Sequence, residues 1–139
     1  MPRIILHSLL LLLTTGLQAQ DALYVKNGTA ITLQNGAIIT VKGNITLENG
    51  STLANQGIIY IGASPTLGTG HWTDLSTTPA NYGTGKFIFN GTGSQVIKTP
   101  HTFSRLEING NNLELQSNIH AQKWYLQKEL LPPACTQPL

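Results

Sequence analysis

Four side chains have the chemistry to bind a metal or move a proton: His71, Asp74, His101 and His120. A zinc site asks for paired ligands a few positions apart or for cysteines in pairs. His71 and Asp74 are three apart, but no two histidines share such spacing and Cys135 is the sole cysteine. The four are therefore expected to be solvated loop and surface groups, with no metal and no cofactor held. Glycoside chemistry needs two carboxylates facing one bond. Past residue 20 the carboxylates are Asp21, Glu48, Asp74, Glu107, Glu114 and Glu129, with no Asp-Asp or Asp-x-Asp pair. Glu107 and Glu114 are read as solubilising groups on successive strands. Ser94 follows Gly91-Thr92-Gly93 and lacks the Gly-x-Ser-x-Gly elbow of hydrolases. Gly83-Thr84-Gly85 and Gly91-Thr92-Gly93 lack the third glycine and the helix of a dinucleotide site. No catalytic residue is assigned, and the chain is read as not an enzyme. Trp72 and Tyr82 are the candidate glycan contacts, because an aromatic face presented by a loop can stack on a sugar ring. The competing reading is that Trp72 pins its segment onto the core.

The elements that must position these residues follow from a chain of 139 residues with net charge +2 and only 10% charged residues. That length supports one domain. The near-neutral balance gives no electrostatic footprint for nucleic acid, and 14 glycines are far too few for collagen. From Tyr24 to Ile61 the chain runs in short bursts: Ile31-Thr32-Leu33, Ile39-Thr40-Val41, Ile45-Thr46-Leu47 and Ile59-Tyr60-Ile61. Alternation with β-branched residues marks half-buried strands. Asn27-Gly28, Asn35-Gly36, Gly43-Asn44, Asn49-Gly50 and Gln56-Gly57 separate the bursts as turns. A meander of hairpins accounts for the Asn-Gly pairs, but a longer period accounts for more. Val25-Lys26-Asn27-Gly28-Thr29 returns 22 positions later as Leu47-Glu48-Asn49-Gly50-Ser51. Gly36 returns 21 positions later as Gly57, which aligns Ile38 and Ile39 with Ile59 and Tyr60. Phe89-Asn90-Gly91 returns 19 positions later as Ile108-Asn109-Gly110.

Repeats of about 20 residues made of several short strands are the signature of stacked coils. The expected fold is all-β: a short parallel right-handed β-solenoid of about five coils over residues 20–122. Stacking at about 4.8 Å disfavours columns of like charge, which accounts for the low charge. It also places Asn27 over Asn49 as an amide ladder. Gly62, Pro65, Gly68, Gly70, Pro79, Gly83 and Gly85 break the rhythm, so 62–85 is read as a long loop leaving the shaft.

The two ends read differently. Arg3, the apolar run Ile4–Leu13 and the small Ala19 form the order of a secretory signal peptide over residues 1–19. The run is shorter than the roughly 20 residues of a spanning helix, so no membrane span remains once it is removed. After Gln122 the repeat stops, and 123–139 is read as an off-pattern tail holding a short helix before Pro132-Pro133. The reading frame shifted by two nucleotides at codon 123 permits a strand, a glycine turn and a strand. A frameshift or truncation there is the expectation, leaving an N-terminal fragment.

The stretch Gly85-Lys86-Phe87-Ile88-Phe89-Asn90-Gly91-Thr92-Gly93-Ser94-Gln95-Val96-Ile97, followed by Thr102-Phe103-Ser104-Arg105-Leu106-Glu107-Ile108 and Leu113-Glu114-Leu115, resembles a known repeat. It is similar to that of large secreted or surface proteins of Bacteroidota, which often end in a type IX secretion sorting domain. The resemblance covers about a third of the chain closely and implies a shaft-building unit; the sorting domain has no counterpart here. Together these readings make the chain a secreted or cell-surface, structural or adhesin-like module. Its expected partners are surface glycans or extracellular matrix, and open solenoid ends are expected to allow self-association. The alternative is a carbohydrate-binding or carbohydrate-active module that uses the 62–85 loop.

Overall fold

The computed structural model describes residues 21–62, 70–110 and 112–126. The described residues form twelve short strands and no helix. They wind three faces. The first coil holds β1 (Asp21–Val25), β2 (Ala30–Leu33) and β3 (Ile38–Val41); the second holds β4 (Asn44–Leu47), β5 (Thr52–Asn55) and β6 (Ile58–Ile61). Each later coil keeps two strands: β7 (Trp72–Asp74) and β8 (Lys86–Phe89), β9 (Ser94–Lys98) and β10 (Thr102–Ile108), β11 (Asn112–Leu115) and β12 (His120–Leu126). The first face is a sheet ordered β1-β4-β7-β9-β11, the third is β3-β6-β8-β10-β12, and the second is the pair β2-β5. All these pairings are parallel. The chain is thus a parallel β-solenoid of about five turns, as its period predicts.

The register fixes the core. A coil buries little alone and completes its interior with its neighbours. On the first face Leu23, Ile45, Trp72, Ile97 and Leu115 form one inward column. On the third face two columns run side by side: Ile39, Ile59, Phe87, Leu106 and Trp124, and Val41, Ile61, Phe89, Ile108 and Leu126. Trp72, Phe87 and Phe103 meet edge to face with ring centroids 4.9–6.1 Å apart. The 22-residue and 19-residue alignments are those observed, with Val25 beside Leu47 and Phe89 beside Ile108. The 21-residue alignment is corrected: Ile38 pairs with Ile58 and Ile39 with Ile59, a spacing of 20. A slip of one residue would have turned each side chain to the opposite face.

The long-loop reading of 62–85 is also corrected. Trp72–Asp74 is a strand inside the first sheet, between β4 and β9. Tyr82 lies on the second face, where Asn55 N–H donates to the Tyr82 carbonyl at 2.6 Å and Tyr82 N–H donates to the Thr102 carbonyl at 3.2 Å. The second face thus continues past β5 as a backbone ladder. Gly62 and Gly70 touch, since a Cβ on Gly70 would lie 2.6 Å from the Gly62 Cα. The described chain on either side of 63–69 therefore meets at Gly62 and Gly70. Gln95 ties Ile61 to Gly70: its side-chain amide donates to their carbonyls at 3.2 and 3.1 Å and accepts from Gly91 N–H at 2.9 Å.

Two further expectations change. Asn27 lies over Gly50 rather than over the amide of Asn49, and the Asn49 side chain accepts from Thr77 N–H at 3.3 Å. The strand β12 runs through Lys123 to Leu126 in register with β10, so these four residues extend the repeat past Gln122 instead of starting a helix. The leader reading of 1–19, the loop residues 63–69 and the tail residues 127–139 lie outside the described residues. Among the described residues no helix is long and apolar enough to cross a membrane.

Candidate functional site

Of the four proton-carrying candidates, the fold brings two together. Val25 and Leu47 pair on the inward side of the first face, and Asp74 takes the next place in that column. The pairing of Thr73 with Lys98 then carries the column on to Thr99. The interior thus turns from apolar to polar along a single column. Asp74, 4% exposed, accepts from Ser76 N–H at 2.8 Å through Oδ1 and from the Tyr82 hydroxyl at 2.6 Å through Oδ2. The Tyr82 hydroxyl also lies 2.6 Å from Thr99 Oγ1 and accepts from Trp72 Nε1 at 3.0 Å. His101 stacks on the Tyr82 ring at 4.9 Å, with its Nδ1 3.7 Å from Asp74 Oδ2. Burial pushes the Tyr82 phenol well above its ordinary range, and the adjacent Asp74 charge adds to the shift. The phenol therefore stays protonated and serves as a donor.

This geometry makes the cluster a brace between coils. A buried carboxylate is costly unless paired and hydrogen-bonded, and here each Asp74 oxygen receives a donor. The Tyr82 hydroxyl joins the third coil to Thr99 in the fourth. A groove of about 310 Å³ runs past the outer side of the cluster, lined by Asp74, Ser76, Lys98, Thr99 and Ser117 among others.

His71 and His120 stand apart from it. The His71 backbone N–H donates to the Asn44 side chain at 3.1 Å and its Nδ1 accepts from Val96 N–H at 3.0 Å, on the outer side of the first face. His120 opens β12 beside Thr102. Among the described residues no group of three His, Cys, Asp or Glu side chains is placed to hold a metal ion. The two glycan-contact candidates are corrected by burial. Trp72 is 0% and Tyr82 1% exposed, so neither ring offers a face to a sugar. Trp72 pins β7 into the core, the competing reading of that residue.

The residues that sequence reasoning missed are the polar members of inward columns: Asn55, Gln95 and Thr99, all buried. Asn55 Oδ1 accepts from Gly57 N–H at 2.9 Å and its amide donates to the Lys86 carbonyl at 3.2 Å. The parity of Ser94-Gln95-Val96-Ile97 was the available signal, because it places Gln95 and Ile97 on one side.

Outward, the third face presents two columns: Ile38, Ile58, Lys86, Arg105 and Lys123, and Thr40, Tyr60, Ile88, Glu107 and Tyr125. Lys86 bridges to Glu107 at 2.8 Å and lies 5.3 Å from the centre of the Tyr125 ring. Arg105 donates to the Thr84 carbonyl through Nε and Nη2, at 3.2 and 2.9 Å. The Lys86 bond, with help from the Asn109 amide, draws the Glu107 carboxyl below its usual range. Shallow grooves of about 250 and 340 Å³ flank Arg105 on this face. Comparison with protein-family models, curated proteins and solved structures gives no match.

Proposed function

We propose that the chain is an exported structural module of the adhesin-like kind, which spaces and presents its outward faces to surface glycans or extracellular matrix. One observation carries the reading. The groups suited to acid–base chemistry, Asp74 and Tyr82, turn inward and are bonded to one another. The outward positions form regular columns at the strand spacing of about 4.8 Å. A ladder of this kind offers several weak contacts at regular spacing, and linked weak contacts raise avidity without a deep pocket. The third face is the presenting face, with Lys86, Arg105 and Lys123 in one column and Tyr60 and Tyr125 beside it. The resemblance of residues 85–119 to surface-protein repeats, and the leader-like residues 1–19, support export to the cell surface or beyond.

The test is binding of the purified chain, displayed at high density, to arrays of glycans and immobilised matrix proteins. Binding is expected to weaken in Arg105→Ala and Lys123→Gln and to persist in Lys98→Gln, which lies on the first face. Absence of binding across the arrays would leave a purely architectural role. Polysaccharide cleavage lost in Asp74→Asn would overturn the reading in favour of an enzyme. Trp72→Ala reports on folding here, because that ring is inside.

A further inference from the structure

We infer that the chain assembles head to tail, the fifth coil of one copy docking on the first coil of the next. Both end faces cut the same inward columns. At the outgoing end Leu115, Trp124 and Leu126 are 47%, 42% and 68% exposed, while Ile97 and Leu106, one coil inward, are fully buried. At the incoming end those columns begin at Leu23, Ile39 and Val41, which line an apolar cavity of about 280 Å³. Trp124 and Ile39 are the two ends of one column. A large side chain thus projects from one end where a recess opens at the other.

A second copy suits these ends because it repeats junctions already present. Each internal junction is parallel, and backbone N–H groups and carbonyls of the two coils bond in both directions, as where Ile45 N–H donates to the His71 carbonyl at 2.8 Å. Glu48 N–H to Val25 and Gln116 N–H to Ile97 are both 2.9 Å. Head-to-tail docking preserves that parallel pairing across the new junction. Head-to-head or tail-to-tail docking would set the meeting strands antiparallel. Unpaired strand edges template such addition, and a heterologous contact that does not close yields an open fibre. One column opposes the stack. Asn44, His71, Val96 and Glu114 share an outward column, and the register of β1 is irregular between Asp21 and Leu23, so with Leu115 over Leu23 the Glu114 carboxylate comes to Ala22 of the next copy, one residue from Asp21. Like charges on neighbouring strands repel, more weakly when they do not face directly. On the third face Tyr125 meets Thr40 and Lys123 meets Ile38, with no such conflict. The inference does not depend on what the outward faces bind.

The experiment combines sedimentation velocity over a concentration series with disulfide trapping. In a Cys135→Ser background, Thr40→Cys with Tyr125→Cys places thiols on adjacent strands about 4.8 Å apart, within the Cα range of a disulfide. Oxidation is expected to yield a ladder of covalent multimers, while Tyr125→Cys alone yields none. Both positions face outward, so the trap does not depend on altering the core. Glu114→Gln is expected to tighten association slightly, by about twofold, the lower end for an exposed charge pair. Trp124→Ser is expected to weaken it by about tenfold or more. A monomer at every concentration would overturn the inference and show that residues of the same chain, or nothing, cover the ends. Cross-linking by Tyr125→Cys alone would replace it with tail-to-tail pairing.

Discussion

Replacing Tyr82 by Phe removes one oxygen atom and keeps the ring that packs against Trp72, Phe87 and Phe103. Asp74 Oδ2 loses its 2.6 Å donor, leaving His101 Nδ1 at 3.7 Å as its near neighbour. Trp72 Nε1 loses its 3.0 Å acceptor in a site sealed from water. The Thr99 hydroxyl, which donates to the Tyr82 oxygen because the phenol proton goes to Asp74, loses that acceptor and keeps the bond it accepts from His101 N–H at 3.0 Å. An orphaned buried N–H costs about 1–3 kcal/mol, and a lost hydrogen bond to a charge about 1.5–3 kcal/mol. The substitution should therefore cost about 3–5 kcal/mol, against a total of about 5–15 kcal/mol for a domain. Urea unfolding followed by tryptophan fluorescence measures it, with Tyr60→Phe on the outward face as the control, expected within about 0.5 kcal/mol of the parent. The pH dependence is a second readout. Unfolded, the phenol ionises near 10; folded, it is held well above that by burial and by Asp74. Its contribution is complete below about pH 10 and is lost as pH rises further through the folded value. Tyr82→Phe removes this part of the alkaline decline. A loss under about 1 kcal/mol, or a stability difference between parent and variant that stays flat above pH 10, would refute the brace.

The remaining predictions concern turns, the buried Gln95 amide and the surface. Gly36 and Gly50 both sit at φ +83°, but a Cβ meets nothing within 4 Å at Gly36 and the Asn27 side chain at 2.3 Å at Gly50. Gly36→Ala should cost the left-handed backbone term of about 1–2 kcal/mol and Gly50→Ala more; equal urea midpoints would show that Asn27 yields freely. Gln95→Met keeps the volume but orphans Gly91 N–H and the Gly70 carbonyl, so a loss of about 2–4 kcal/mol is expected in chemical unfolding. Lys86→Met removes the main cause of the lowered Glu107 carboxyl. The depressed group contributes stability above its unfolded value near 4.5 that disappears as pH falls through the folded value. The acid decline between about pH 5 and 3 should flatten in that variant, and an unaltered slope would argue against the surface bridge.

Much of the architecture is legible in residues 24–61. Alternating Ile, Val, Leu and Thr over four residues sets the strands, and a glycine beside Asn or Gln at the corners sets the turns, because both are local consequences of backbone and side-chain shape. The repeats that begin at Val25 and Phe89 carry the stacking, since equal spacing returns equal side chains to the same face. The period stops being readable where the spacing changes. Asp74 follows Leu47 in its column after 27 positions and Leu126 follows Ile108 after 18, so an offset measured in one coil cannot be carried to the next. Trp72-Thr73-Asp74 is too short to display alternation, and its Gly, Ser and Pro neighbours imitate a loop. Tyr82 belongs to no strand, and its place depends on the carbonyl it offers Asn55 and the N–H it gives Thr102. Whether a residue faces the core depends on the parity of every residue in the coil before it. Local chemistry therefore determined that this chain stacks short strands. Contact between coils alone decided that Asp74, Tyr82, Thr99 and His101 meet inside it.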